Sequence, residues 1–115
     1  MAVSIPIAGS TKTIGGDGVF VIAEIGKNFI QTEEDRPQEE YLANALALID
    51  AAAESGADAV KFQTHVLEDE FMPGLTVVSP HFSGSDRLRW IARNEAATPR
   101  EFWQAVKARA EGRGL

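Results

Sequence analysis

The sequence predicts an α/β fold organised on a parallel pair of strands, and three stretches carry that expectation. Val19 to Ile25 (VFVIAEI) is an apolar run with a single charge, Glu24, near its end. An alanine- and leucine-rich stretch from about Pro37 to Ser55 repeats its apolar residues at helical spacing. Gly56 to Thr64 (GADAVKFQT) is short, β-prone and alternating. Two strands joined by one helix form a βαβ unit, so they should lie parallel with a right-handed connection.

Ahead of the first strand, Val3 to Ile7 and Lys12 to Ile14 read as short strands around Ala8-Gly9-Ser10, with Gly15-Gly16-Asp17-Gly18 as a turn. Residues 1–18 are therefore expected to form a small hairpin without a catalytic role. After the first strand, Gly26 to Arg36 is a polar loop in which Gly26 permits close approach of the backbone. Asn28 in that loop could donate to a ligand oxygen or hold the loop through an Asx-type hydrogen bond. The run Glu33-Glu34-Asp35 reads as solvated and helix-capping, because nothing gives it metal-ligand geometry.

Pro37 suits the first turn of the helix, and Leu42, Ala45, Leu46, Ile49, Ala52 and Ala53 form its buried stripe. Gly56 ends it, since glycine accepts the left-handed conformation there. In the strand that follows, Ala59, Lys61 and Gln63 share one face, and Asp58, Val60 and Phe62 share the other. Glu24 shares its face with Phe20 and Ile22. Both strands thus place a charged residue at the C-terminal end, the edge at which parallel α/β proteins bind ligands. The plainer reading is an ion pair between neighbouring strands with no chemistry attached.

The segment from His65 to Ala97 is far longer than the usual βα connection of about 2–6 residues. Long loops on a binding edge are commonly lids or binding loops. Asp86 to Arg93 (DRLRWIAR) predicts a short helix with Leu88, Trp90 and Ile91 partly buried. His65 and His81 are a weak metal signal, and Arg87, Arg89 and Arg93 could receive an anion, although a solvated basic face explains them as well. Thr98-Pro99-Arg100-Glu101 is a capping box, with Thr98 at the N-cap and Glu101 at N3. Phe102, Val106 and Ala110 then mark a buried stripe with Trp103 alongside, and Gly112 and Gly114 signal the end.

Ile22-Ala23-Glu24-Ile25-Gly26-x-Asn28, the helix, and Gly56-Ala57-Asp58-Ala59-Val60-Lys61-Phe62-Gln63-Thr64 together resemble the opening of the sialic acid synthase family. The resemblance is strong over residues 19–64 and weaker beyond. It implies the N-terminal portion of a TIM (β/α)8 barrel preceded by a short β-hairpin, with residues 1–18 the hairpin and 19–115 the first two βα units. Such a barrel takes ~250 residues. The expectation is therefore the first quarter or third of an enzyme, without turnover by itself.

The family condenses phosphoenolpyruvate with an N-acylated amino sugar to a nine-carbon sugar acid and releases phosphate. Carried over, Lys61 would bind the phosphoenolpyruvate anion, and Gln63 and Asn28 would hydrogen-bond substrate oxygens. Glu24 would orient the sugar or a water beside Lys61. A divalent metal, Mn2+ or Mg2+, would polarise the aldehyde, with its histidine ligands on later strands outside this chain, and a C-terminal domain would pair two subunits. The family usually has His where this chain has Phe29, so no role of that histidine carries over; the difference is compatible with a branch taking another acceptor sugar.

Composition narrows the alternatives. The 115 residues are 44% hydrophobic and 24% charged, ordinary for a globular domain. A net charge of −6 argues against nucleic acid as the main partner. Cysteine is absent, which removes disulfides and thiolate chemistry. No signal-peptide pattern and no apolar run near the ~20 residues of a membrane helix are present, so a cytoplasmic location is expected. One rival reading is an aldolase with Lys61 as Schiff-base nucleophile; the Glu24 carboxylate works against the neutral amine that chemistry needs. The other is a small α/β binding module without catalysis.

Overall fold

The computed structural model describes residues 2–70, 72, 74 and 87–115. Two short strands, β1 (Ser4–Pro6) and β2 (Thr13–Gly15), pair antiparallel as the expected hairpin, with Ile5 opposite Ile14. Strand β3 (Ile22–Gly26), helix α1 (Gln38–Glu54) and strand β4 (Ala59–Phe62) form the βαβ unit, and β3 and β4 are parallel. Helices α2 (Leu67–Glu70), α3 (Arg87–Ala97) and α4 (Arg100–Gly112) follow. The hairpin meets the N-terminal edge of the parallel pair, where Lys12 Nζ donates to the Asp58 carbonyl at 2.5 Å. There the Asp58 carboxylate accepts the Val21 N–H at 2.8 Å, extending the β3–β4 pairing back beyond the strand ends.

Helix α1 stops as its sequence requires. Ser55 is the C-cap, and Gly56 follows with φ +82°. Its N–H bonds to the Ala53 carbonyl at 3.1 Å and that of Ala57 to Ala52 at 3.1 Å, the two bonds of a Schellman motif. Helix α4 ends likewise: Gly114 (φ +78°) bonds back to Glu111, and Leu115 to Ala110 at 2.8 Å.

The helix starts differ from expectation. Pro37 is the N-cap of α1 rather than its first-turn residue, with no side-chain cap, so Glu33-Glu34-Asp35 does not cap the helix. The loop is held instead by Tyr41, whose buried hydroxyl accepts the Arg36 N–H at 2.9 Å and donates to the Glu34 carbonyl at 3.3 Å. Nor does Thr98 form a capping box: Pro99 is the N-cap of α4. Because α3 ends at Ala97, Thr98 occupies its last turn, and its hydroxyl donates to the open Asn94 carbonyl at 2.8 Å.

One face of the β3–β4 pair is covered. Ile25, Val60 and Phe62 pack with Tyr41, Ala45 and Ile49 of α1 and Phe102, Val106 and Ala110 of α4. At the centre is Phe29, 1% exposed, with ring centroids 5.3 Å from Phe102, 5.9 Å from Phe62 and 6.0 Å from Trp103. The other face is open: Ile22 is 53% exposed, and Glu24, Lys61 and Gln63 stand exposed beside it.

Truncating Phe29 removes the ring that α4 and β4 share. Phe29→Ala is expected to cost about 3–5 kcal/mol, as for other buried aromatics, read from the urea unfolding midpoint. A loss under about 1 kcal/mol would show that the aromatic cluster does not anchor α4.

Candidate functional site

The open face of the strand pair gathers three of the four residues singled out from sequence. Glu24 and Lys61 are register partners on β3 and β4. Lys61 Nζ donates to Glu24 Oε2 at 2.6 Å. The register shifts between Glu24 and Gly26, so Ile25 is the extra residue of a bulge at the C-terminal end of β3. Ile25 turns into the core, and Gly26 adopts φ +59°.

Gly26 decides the shape of the site. A Cβ there would lie 3.4 Å from Glu24 Oε1, 3.5 Å from Gln63 Cδ and 3.6 Å from Gln63 Nε2. Glu24 and Gln63 therefore converge over a bare backbone, and the Gln63 N–H bonds to the Gly26 carbonyl at 3.1 Å. The result is a carboxylate, an ammonium and an amide facing one way at the C-terminal edge of parallel strands. An ammonium can meet a phosphate or carboxylate as a point charge, while the amide supplies both a donor and an acceptor.

Stability does not account for this arrangement. Lys61 and Glu24 side chains are 60% and 45% exposed, and pairs so placed are worth about 0–1 kcal/mol.

Asn28 does not join the three. Its Nδ2 donates to the Ile25 carbonyl at 2.8 Å, so the amide fastens the loop, but as a donor to a carbonyl three residues back rather than through the expected Asx-type bond. Phe29, where the resembled family has His, belongs to the core on the covered face. His65 contacts the Glu70 carboxylate, and Glu70 also meets Arg87 at 3.2 Å. The His65 hydrogen bond, with Arg87 behind it, holds the Glu70 carboxyl below the usual carboxylate range. His81 lies outside the described residues, among which no group of three or more potential metal-ligating side chains occurs. No helix among them is long and apolar enough to cross a membrane.

Two features of this edge escaped sequence reasoning. Arg93 is neither an anion receptor nor a solvated base: its guanidinium donates to the Thr32 carbonyl at 3.1 Å and to that of Glu33, fastening α3 to the loop after β3. Beside it, Lys27 Nζ sits over the Trp90 ring, 4.9 Å from the centroid. A lysine directly after the glycine that ends a strand was the available signal; its aromatic partner, far along the chain, was not.

A curated relative shares part of this chain. The spore coat polysaccharide biosynthesis protein SpsE of Bacillus subtilis (strain 168) is 53% identical over 55 residues, 47% of this chain. The resemblance to the sialic acid synthase family is supported. The match covers 12% of the length of SpsE. No family model matches the chain, and no solved structure matches it.

If the open-face trio exists for a ligand, its charges are dispensable for folding while its glycine is not. Glu24→Gln and Lys61→Met should each change unfolding free energy by less than about 1 kcal/mol. Gly26→Ala should cost about 1–2 kcal/mol from the left-handed backbone alone. Chemical denaturation of the three variants checks the ranking; a Glu24→Gln loss exceeding that of Gly26→Ala would make the pair structural.

Proposed function

We propose that this chain is the opening of a carbohydrate-biosynthetic enzyme that condenses phosphoenolpyruvate with an N-acylated amino sugar, forming a nine-carbon sugar acid and releasing phosphate. The observation that carries this reading is the convergence of Glu24, Lys61 and Gln63 over Gly26 on an uncovered sheet face. The similarity to SpsE, a polysaccharide biosynthesis protein, supports the biosynthetic class. In this reading the open face belongs to the inside of a (β/α)8 barrel whose remaining strands lie outside these residues.

The chemistry asks little of covalent catalysis from this chain. C3 of phosphoenolpyruvate attacks the aldehyde carbon of the open-chain sugar, and positive charge develops at C2. Water adds there, and the C–O bond to phosphate breaks as the C2 ketone forms. Lys61 balances the phosphate or carboxylate charge, and Gln63 orients an enolpyruvate or sugar oxygen. Glu24 holds the Lys61 ammonium in place until the anion arrives. Glu24 is then positioned to order the sugar or the water. A divalent ion, Mn2+ or Mg2+, would polarise the aldehyde when bound. The described residues do not fit it, because they contain no ligand cluster and Glu24 is engaged by a cation.

The Lys61–Glu24 ion pair also weighs against Lys61 as a Schiff-base nucleophile. We place the reaction in the cytoplasm, in a homodimer whose pairing domain lies outside these residues. In the whole enzyme, Lys61→Met should raise the KM for phosphoenolpyruvate at least ~10-fold and lower phosphate release at least ~100-fold, while the amino-sugar KM moves less. Unchanged kinetics would return the pair to a structural role.

A further inference from the structure

The loop after β3 and the first turns of α3 enclose a cleft of about 350 Å3, lined by Lys27, Ile30, Gln31, Thr32, Glu33 and Trp90 among others. It begins one residue beyond Gly26, over which Glu24 and Gln63 converge. Lys27 Nζ is half-buried, 4.9 Å from the centroid of the Trp90 ring. Among the described residues it donates no hydrogen bond and meets no carboxylate at ion-pair distance. The ring face holds the ammonium in place, and an unmet donor at half burial carries a cost that a ligand acceptor would remove. Gln31, in the same cleft, holds φ +58°, which non-glycine residues seldom adopt, in a loop that Arg93 fastens to α3. Strain of that kind collects where a side chain is held for binding.

The charges around Nζ decide what such a donor can take. Glu33 lines the cleft, and the Glu70 and Glu95 carboxylates act on Nζ against Arg87. An anion would enter that acidic surround at a cost, whereas a neutral acceptor oxygen would not. Burial lowers the Lys27 pKa to about 8, with Glu70 and Glu95 opposing and Arg87 assisting, so about nine-tenths remains ammonium at pH 7. Ile30 and Trp90 give the same cleft an apolar side. A neutral carbonyl oxygen beside a small apolar substituent matches both features, and an N-acyl group is that combination.

We propose that this cleft reads the N-acyl group of the acceptor sugar. Lys27 Nζ donates to the acyl carbonyl oxygen, the acyl carbon tail rests against Ile30 and Trp90, and Gln31 and Thr32 meet sugar hydroxyls. The inference rests on the condensation reading of the open face, and it divides the two substrates between two ammonium groups. Lys61 takes the anion, and Lys27 takes the neutral sugar. A charge-assisted bond to the carbonyl separates an N-acyl sugar from its free amine, which offers no carbonyl. The amine also carries a positive charge of its own, which the Lys27 ammonium repels.

The test is calorimetric titration of the whole protein that contains these residues, without phosphoenolpyruvate, using the N-acetyl and free-amine forms of glucosamine, galactosamine and mannosamine. At least one N-acetyl sugar should bind at least ~10-fold more tightly than its amine. Lys27→Met should weaken that sugar at least ~10-fold and bring the two forms within ~3-fold of each other, with the far-UV circular dichroism unchanged. Gln31→Gly should weaken it at least ~3-fold while the unfolding midpoint holds or rises, because glycine relieves the left-handed backbone. Equal binding of both forms, binding of none, or an affinity that Lys27→Met leaves unchanged would overturn the proposal. Turnover separates it from the reading beneath it. Phosphate release whose sugar KM ignores Lys27→Met would keep the condensation and overturn the cleft. Acyl-selective binding without phosphate release would keep the cleft and overturn the condensation.

Discussion

The asymmetric cover of the β3–β4 pair is the constraint on which the rest of the structure depends. Two parallel strands cannot be stable in water by backbone pairing alone; at least one face must be buried. Here α1 and α4 bury the face carrying Ile25, Val60 and Phe62, with Phe29 at the junction. Every apolar side chain of that layer consequently points one way, and strand alternation sends Glu24, Lys61 and Gln63 the other. The candidate site's open face is thus a by-product of how the core is made.

Local backbone chemistry then sharpens the face into a site. The bulge at Ile25 gives the core one more apolar residue and turns the chain sharply at Gly26. Without a side chain at Gly26, the Gln63 amide and the Glu24 carboxylate approach within contact of the same spot. The loop that follows is not loose: Tyr41 ties its far end, Asn28 its near end and Arg93 its middle. That fastening brings Lys27 to Trp90 and makes the neighbouring cleft.

Much of this was legible in the sequence because it rests on short-range rules. The hairpin, the βαβ order, the glycine stop at Gly56 and the stripe Phe102, Val106, Ala110 follow from turn chemistry and periodicity. So does the sharing of one face by Lys61 and Gln63. What escaped depends on neighbours distant in sequence. Thr98 has the spacing of a capping box, yet the end of α3 immediately before it offers an open carbonyl that its hydroxyl takes instead. Glu33, Glu34 and Asp35 resemble a helix cap but lie outside Pro37, which starts α1. Trp90 reads as part of an amphipathic stripe, and nothing in the sequence pairs it with Lys27. The family likeness came from two motifs in order, and the similarity to SpsE supports it where spacing alone would have left an ion pair.

The most direct test is a crystal structure, with phosphoenolpyruvate bound, of the whole protein that contains these residues. The account predicts a phosphate or carboxylate oxygen within about 3 Å of Lys61 Nζ, with the Gln63 amide against the same ligand and Glu24 still adjoining the ammonium. Phosphoenolpyruvate bound elsewhere, with the Lys61–Glu24 pair closed and the open face covered by apolar side chains, would contradict it.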